Sequence, residues 1–254
     1  ITSIVVQFNY GFFNFKCFAN FIKAIYSKNI KIIIFLHSTT DPLLTETKKL
    51  KDLSDTLSLC HRLLVHSPSD LNRLKSIGLV DNVSLFPHGI LDVKKYSKKV
   101  NIIKENHKKF HFSTYGFCLP NKGFPELIKA IALLHKDDFK CRLTLHTALY
   151  DSHDSLVFYQ NLLSLIDNLK LKNYIKINTS FCSDKDTLKK LSRTDLVIFP
   201  YQLTNESASG AVRQAISSST PVAVTPLSIF EDVLDVVYRL PGCSPSLIAQ
   251  GLKN

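Results

Sequence analysis

The chain has 254 residues, of which 45% are hydrophobic and 21% charged, a globular composition that excludes disordered and fibrous proteins. Its 32 basic residues outnumber 21 acidic ones, and the net charge of +11 favours anionic partners. The six cysteines are scattered without a CxxC pair, which argues against a disulfide scaffold or a structural zinc site. No apolar run has the length of a bilayer span, and no signal-peptide pattern opens the chain.

Short β-branched runs alternate with longer amphipathic stretches along the whole chain. In the first half this pattern predicts strands at 3–8, 31–37, 62–66 and 83–87, and helices at 15–27, 42–60 and 68–77. In the second half it predicts strands at 110–115, 141–146, 174–178, 195–200, 221–225 and 236–239, and helices at 124–136, 155–168, 185–192 and 210–217.

A Lys- and Asn-rich stretch at 92–109 separates the two alternating runs and predicts a linker. Strand–helix alternation at this spacing indicates βαβ units with parallel sheets. The predicted fold class is therefore α/β, with two Rossmann-like domains, residues 1–105 and 106–254, facing a cleft. Because methionine is absent even at position 1, we expect the sequence to be a segment of a longer protein with an incomplete N-terminal domain.

The run Asn205–Ala211 follows the predicted strand 195–200 and opens a helix. Ligands of parallel α/β sheets bind beyond the carboxyl ends of strands, and the free amides of a helix N-terminus attract anions such as a diphosphate. Glu206 is placed to accept hydrogen bonds from hydroxyl groups, and Arg213 and Gln214 follow on the helix. An ordinary capped helix start has the same pattern, so the spacing alone leaves both interpretations open.

Lys122, in the segment between Gly116 and Gly123, is a second candidate, since it follows strand 110–115 and would reach a phosphate. A loop lysine is also commonly a solvated surface residue. His37 ends the strand 31–37, where an imidazole can contact a substrate or move a proton. A structural role for this histidine is the alternative. The histidines at 61, 66 and 88 lack metal-ligand spacing and are interpreted as structural.

Four segments match a known family in its own order: IIIFLHSTTD, then VHSPSDLNRLKSIG with FPHGI, then TYGFCLPNKGFPELIKAI, and finally DLVIFPYQLTNESASGAVRQAISSSTPVAV. With these segments the chain resembles the family-4 retaining glycosyltransferases of the GT-B fold. That group includes many bacterial polysaccharide and lipopolysaccharide sugar transferases. The last segment is the most specific, because it is similar to the EX7E region that binds the donor sugar nucleotide.

The resemblance implies a role for each matching residue. Glu206 corresponds to the glutamate that contacts the donor sugar, and Gln214 replaces the glutamate that holds the ribose. Lys122 corresponds to the phosphate-binding lysine, whereas Phe117 stands where an arginine is common. One cation of the usual pair is therefore either missing or supplied elsewhere, and Arg213 is the candidate for supplying it. The expected catalytic residues are His37 and Glu206, and the expected donor-binding residues are Gly116, Lys122, Ser207, Ser209, Gly210, Ala211, Arg213 and Gln214.

The function implied is transfer of a hexose, with retention, from a nucleoside-diphosphate sugar to an acceptor hydroxyl in bacterial surface polysaccharide or lipopolysaccharide synthesis. No cofactor and no metal are expected. The expected partners are a nucleotide-sugar donor, a glycan or lipid-linked acceptor and, given the basic first half, an anionic membrane surface at the cytoplasmic face. The alternative is a degenerate module that binds a nucleotide sugar without chemistry. A specific nucleic-acid binder is disfavoured, because the lysines are dispersed without a recognition motif.

Overall fold

A computed structural model of the chain describes residues 1–42, 48–92 and 109–254. These residues divide into two compact units. Unit 1 comprises Ile1–His88 together with Asn205–Ser209, and unit 2 comprises Gly89–Thr204 together with Gly210–Asn254. Most of the predicted linker lies outside the described residues, and so does the predicted domain boundary after residue 105. The division of the chain into domains at that residue therefore stays a prediction.

Unit 1 contains a four-stranded parallel sheet in the order β1-β2-β3-β4. Alternate residues of β2, such as Ile32 and Ile34, are fully buried and pack with Phe8 and Phe18 in the core. Because all strands are parallel, their carboxyl ends lie along one edge of the sheet. The elements in chain order are β1 (Ser3–Phe8), α1 (Phe15–Tyr26), β2 (Lys31–Leu36), a 3₁₀ helix (Leu50–Leu53), α2 (Ser54–Ser58), β3 (Arg62–Val65), α3 (Pro68–Ser76) and β4 (Val83–Leu85).

Unit 2 contains a six-stranded parallel sheet in the order β10-β9-β8-β5-β6-β7. The chain enters the sheet at its middle, builds outward to β7 and returns to β8, which lies beside β5. The elements are β5 (Phe110–Phe117), a 3₁₀ helix (Pro120–Lys122), α4 (Phe124–Lys136), β6 (Cys141–Ala148), α5 (His153–Asn168), β7 (Ile175–Asn178), α6 (Asp184–Leu191), β8 (Leu196–Phe199), α7 (Gly210–Ser217), β9 (Val222–Val224), a 3₁₀ helix (Ser228–Val236), β10 (Tyr238–Arg239) and α8 (Pro245–Lys253).

Both faces of the second sheet are covered, which explains why its strands are continuous apolar runs. In β8, Ile198 packs into the core that includes α4, α5 and α8, whereas Val197 and Phe199 pack against α7 and the 3₁₀ helix Ser228–Val236. This packing holds the carboxyl ends of β5 and β8 in fixed positions at one edge of unit 2.

The structure corrects several predicted elements. The helix predicted over 42–60 is absent at residues 48–49, and residues 43–47 lie outside the described residues. The backbone N–H of Leu50 donates to the carboxylate of Asp41 (2.8 Å), and two short helical segments follow. Strand β5 extends through Phe117, and β10 is reduced to Tyr238–Arg239. Helix α8 was not predicted, although Ser244 caps it as Ser67 caps α3.

Among the described helices, none combines the length and the apolar character that a bilayer crossing requires.

Candidate functional site

The carboxyl ends of β5 and β8 in unit 2 are the centre of the candidate site. These strands are adjacent, and the order of the sheet reverses between them. Ligands of open parallel sheets bind outside the strand ends at such a reversal. Lys122 ends the 3₁₀ helix that follows β5, and α7 begins at Gly210 on the segment that follows β8, as predicted.

Two close contacts join the segments that follow β5 and β8. The backbone N–H of Gln202 donates to the carbonyl oxygen of Asn121 (2.9 Å). Gly123 has a φ of +71°, and a Cβ atom at this position would overlap the carbonyl group of Pro200. Only glycine fits this approach, so the backbone next to Lys122 is held against the end of β8.

Lys122 is largely buried, with 7% of its surface exposed, and its Nζ atom lies 4.1 Å from the centre of the Tyr201 ring. A desolvated ammonium over an aromatic ring is attracted by the electrons of the ring face. Tyr201 is itself buried, and Gly116 lies near its hydroxyl with a φ of +147° that favours glycine. The lysine is therefore held in a defined position rather than solvated.

Gln214 on α7 contacts an acidic side chain. Its Nε2 donates to the carboxylate of Asp184, the first residue of α6, over 2.7 Å. Burial raises the pKa of the neighbouring Tyr115 hydroxyl, and the Asp184 carboxylate adds to this effect. A glutamate at position 214 would place two carboxylates in contact, which gives a physical reason for the amide at this position.

Replacing Gln214 by Glu is expected to lower the free energy of unfolding by about 1 kcal/mol, because one hydrogen bond is replaced by carboxylate repulsion. The double variant Gln214→Glu/Asp184→Asn should recover most of this loss, since an amide again faces a carboxylate. Urea unfolding of the four proteins at pH 7 measures the coupling. Additive losses would show that the two side chains do not interact.

Arg213, also on α7, is paired with an acidic side chain. Its guanidinium forms an ion pair with Asp232, and both side chains are almost fully buried. Since Asp232 neutralises this charge, the surroundings of Arg213 do not support the expectation that it compensates the arginine missing at Phe117.

Phe117 belongs to an exposed aromatic cluster that the sequence analysis missed. Its ring centre lies 5.7 Å from that of Tyr150 and 6.4 Å from that of Phe181. The three rings stand at or just after the carboxyl ends of β5, β6 and β7, which are neighbours in the sheet. Exposed aromatic faces stack on planar or apolar groups of ligands. The signal in the sequence was an aromatic residue after each of three successive strands.

The segment Asn205–Ser209 belongs to unit 1, and its polar groups form hydrogen bonds there. The backbone N–H of Ser207 donates to the carbonyl oxygen of His37 (3.3 Å), and its hydroxyl donates to Asp70 (2.7 Å). The hydroxyl of Ser38 in turn donates to the carbonyl oxygen of Asn205. Glu206 is exposed between these anchored neighbours, in the same unit as His37.

Asp70 holds this part of unit 1 together. It is fully buried and also accepts hydrogen bonds from the hydroxyls of Thr39 and Ser67, while Arg73 lies 3.3 Å from its carboxylate. From the sequence it was only the third residue of a capped helix. Its bond to Ser207, which is 137 positions away, depends on the fold.

His37 lies with two histidines that were interpreted separately as structural. Its Nδ1 is 3.3 Å from Nε2 of His66, and the rings of His66 and His88 stack with their centres 3.9 Å apart. Burial lowers the pKa of His37, and neighbouring His66 lowers it further.

The structure thus divides the predicted site residues between its two units. Those in unit 1 are His37, Glu206, Ser207 and Ser209, and those in unit 2 are Gly116, Lys122, Gly210, Ala211, Arg213 and Gln214.

No family model and no curated protein matches the sequence. Solved structures do match over nearly the whole chain. Anabaena HepE in complex with UDP is 14% identical with a TM-score of 0.78, and the match covers 98% of this chain and 68% of HepE. An α,α-trehalose-phosphate synthase (UDP-forming) from Burkholderia xenovorans in complex with glucose-6-phosphate is 12% identical, with a TM-score of 0.79 and coverage of 99% and 65%.

Sucrose-phosphate synthase from Thermosynechococcus elongatus is 12% identical, with a TM-score of 0.79 and coverage of 99% and 63%. This chain therefore spans about two thirds of the length of these neighbours. These neighbours are glycosyltransferases of the GT-B fold. At 12–14% identity, the structural similarity establishes the fold of this chain and nothing about its substrates. The predicted α/β class with Rossmann-like parallel sheets is confirmed, and the chain has the GT-B fold.

Proposed function

We propose that unit 2 binds a nucleoside-diphosphate sugar and that the protein transfers this sugar to an acceptor hydroxyl. The observation that carries the proposal is the position of Lys122 and the start of α7 after adjacent strands, at the reversal of the sheet. Nucleotides bind at such reversals in parallel α/β sheets. A lysine and the amides of a helix N-terminus supply the positive charge that suits a diphosphate.

In this proposal the chain promotes the reaction by stabilising charge. Negative charge develops on the phosphate oxygens as the bond between sugar and diphosphate breaks. Lys122 and the backbone amides of Gly210 and Ala211, all in unit 2, are the groups assigned to that charge. The roles of His37, Glu206, Ser207 and Ser209 toward the sugar stay predictions that rest on the resemblance of the motifs.

The finer assignments also rest on that resemblance. We infer that the donor sugar is a hexose, that its anomeric configuration is retained, and that no metal takes part in the transfer. The acceptor is a glycan or lipid-linked sugar of bacterial surface polysaccharide or lipopolysaccharide synthesis. The net charge of +11 supports work at an anionic membrane surface on the cytoplasmic side.

Thermal unfolding with a panel of UDP-, GDP-, ADP- and dTDP-sugars tests donor binding, since a ligand that binds only the folded state raises its stability. UDP-sugars come first, because Anabaena HepE is solved with UDP. We expect the nucleotide sugars of one base to raise the melting temperature and those of the other bases to leave it unchanged. At a ligand concentration of about 100 times Kd, the added free energy of unfolding is about 3 kcal/mol. A flat panel would overturn donor binding, and NMR of the product anomer would test retention.

A second function is favoured by two residues of the site. Phe117 and Gln214 stand where the resembling family has an arginine and a glutamate, so the chain is a candidate for binding a nucleotide sugar without transferring it. Selective binding without release of nucleoside diphosphate, in the presence of glycan acceptors, would establish this function instead.

A further inference from the structure

The three histidines of unit 1 stand at the end of neighbouring strands. His37 follows β2, His66 follows β3, and His88 comes three residues after β4. Because β2, β3 and β4 are adjacent and parallel, the three imidazoles meet at one edge of the sheet. One nitrogen of each ring lies within 4.8 Å of the others, and no other group of three or more potential ligands is found among the described residues.

Hydrogen bonds at the outer side of two rings indicate which nitrogen of each ring faces the cluster. Nδ1 of His66 is 3.0 Å from the carbonyl oxygen of Phe86, which only accepts, so this nitrogen carries the proton and Nε2 presents a lone pair. With the Gln7 amide in this orientation, its Oε1 accepts from Nε2 of His37 (2.6 Å), and Nδ1 of His37 is then the nitrogen directed at His66.

Nδ1 of His37 and Nε2 of His66 lie 3.3 Å apart, so these two nitrogens share either a proton or a cation. Two nitrogens bound to one zinc ion at about 2.0 Å in tetrahedral geometry are about 3.3 Å apart. The observed separation is the one that a shared metal ion would give, and it also suits a shared proton, so metal titration distinguishes the two.

We propose that His37, His66 and His88 bind a divalent transition-metal ion of the zinc type, for which imidazole is a preferred ligand. Phe86 and Gln7 are the outer partners that orient the ligands, as carbonyl groups do in known metal sites. His66 is 1% exposed and acts as the fixed ligand. His88, which is partly exposed, supplies the third nitrogen after its ring turns out of the stack on His66.

All three histidines belong to unit 1, whereas Lys122 and α7, to which the diphosphate contacts are assigned, belong to unit 2. The proposal concerns ion binding and holds whether or not the protein transfers sugars. Binding of UDP to the same samples, measured in parallel, therefore distinguishes failure of this proposal from failure of the proposed function.

The test uses the whole chain after treatment with a chelator. Titration calorimetry with Zn²⁺ should show one saturable site per chain, and Co²⁺ should give visible absorption bands without the sulfur-to-cobalt band that a cysteine ligand adds. His66→Gln and His88→Gln should each weaken Zn²⁺ binding by about 100-fold. His153→Gln, which changes an exposed histidine at the start of α5, should leave binding unchanged.

The absence of saturable binding to the wild-type chain would overturn the proposal, and the cluster would then share a proton between His37 and His66. Unchanged affinity in both variants would overturn it as well, because the ion would then bind elsewhere. The substitution at partly exposed His88 is the one least able to disturb folding, and circular dichroism checks both variants. The cobalt spectrum of the wild type tests the ligand type without any substitution.

Discussion

Replacing Lys122 by Met is expected to weaken UDP binding by about 100-fold, equivalent to about 3 kcal/mol, because a charge-assisted contact to phosphate is lost in a buried setting. Met keeps most of the side-chain length and its packing on the Tyr201 ring. The expected effect is therefore on affinity, whereas the free energy of unfolding without ligand should change little. Calorimetry with UDP and urea unfolding of the same samples separate the two quantities.

The matched control is Lys129→Met, which removes an exposed lysine from α4, the helix that follows Lys122. This variant should bind UDP like the wild type, because solvent screens its charge. Equal losses in the two variants would indicate a general effect of net charge. An unchanged Kd for Lys122→Met would show that this lysine does not contact the diphosphate.

Replacing Asp70 by Ala is expected to lower the free energy of unfolding by about 3–5 kcal/mol, since a fully buried carboxylate is removed from several donors that lose their acceptor. Ser207→Ala removes only one of those hydrogen bonds and should cost about 1 kcal/mol. Asp55→Ala, at an exposed position of α2, should change stability by less than about 0.5 kcal/mol.

Urea unfolding, followed by circular dichroism at pH 7, ranks the three variants. If Asp70→Ala costs no more than Asp55→Ala, the hydrogen bonds around Asp70 do not hold unit 1 together. If Ser207→Ala is neutral while Asp70→Ala is not, the hydrogen bond from the Ser207 hydroxyl to Asp70 contributes no stability to unit 1.

Most strands and helices were predictable because a parallel sheet covered on both faces leaves continuous apolar runs between amphipathic ones. Helix α4 begins and ends at the predicted residues, Phe124 and Lys136, and Ser67 with Pro68 predicted the start of α3. The helix predicted over 42–60 was wrong at residues 48–49, since the backbone is extended at Lys49 and the N–H of Leu50, which starts the first helical turn, donates to the carboxylate of Asp41.

The partners of the site residues were not predictable, since they depend on strand order. Position 122 was identified from its place after a strand, but its contact with Tyr201 comes from the adjacency of β5 and β8. The histidines at 66 and 88 have no meaningful linear spacing from His37, and only the sheet brings the three together. Residue type and spacing thus indicated candidates, whereas topology determined which of them touch.

The five residues Asn205–Ser209 are coded within the second half of the chain but are structurally part of unit 1. A chimera that joins residues 1–88 to the second half of a related chain would carry a foreign version of this segment against Asp70 and the carbonyl group of His37. A functional chimera therefore needs crossover points after residues 88, 204 and 209, so that residues 205–209 come from the same parent as residues 1–88. Evolution faces the same constraint, and substitutions in this segment are expected to co-vary with residues near Asp70 rather than with their chain neighbours.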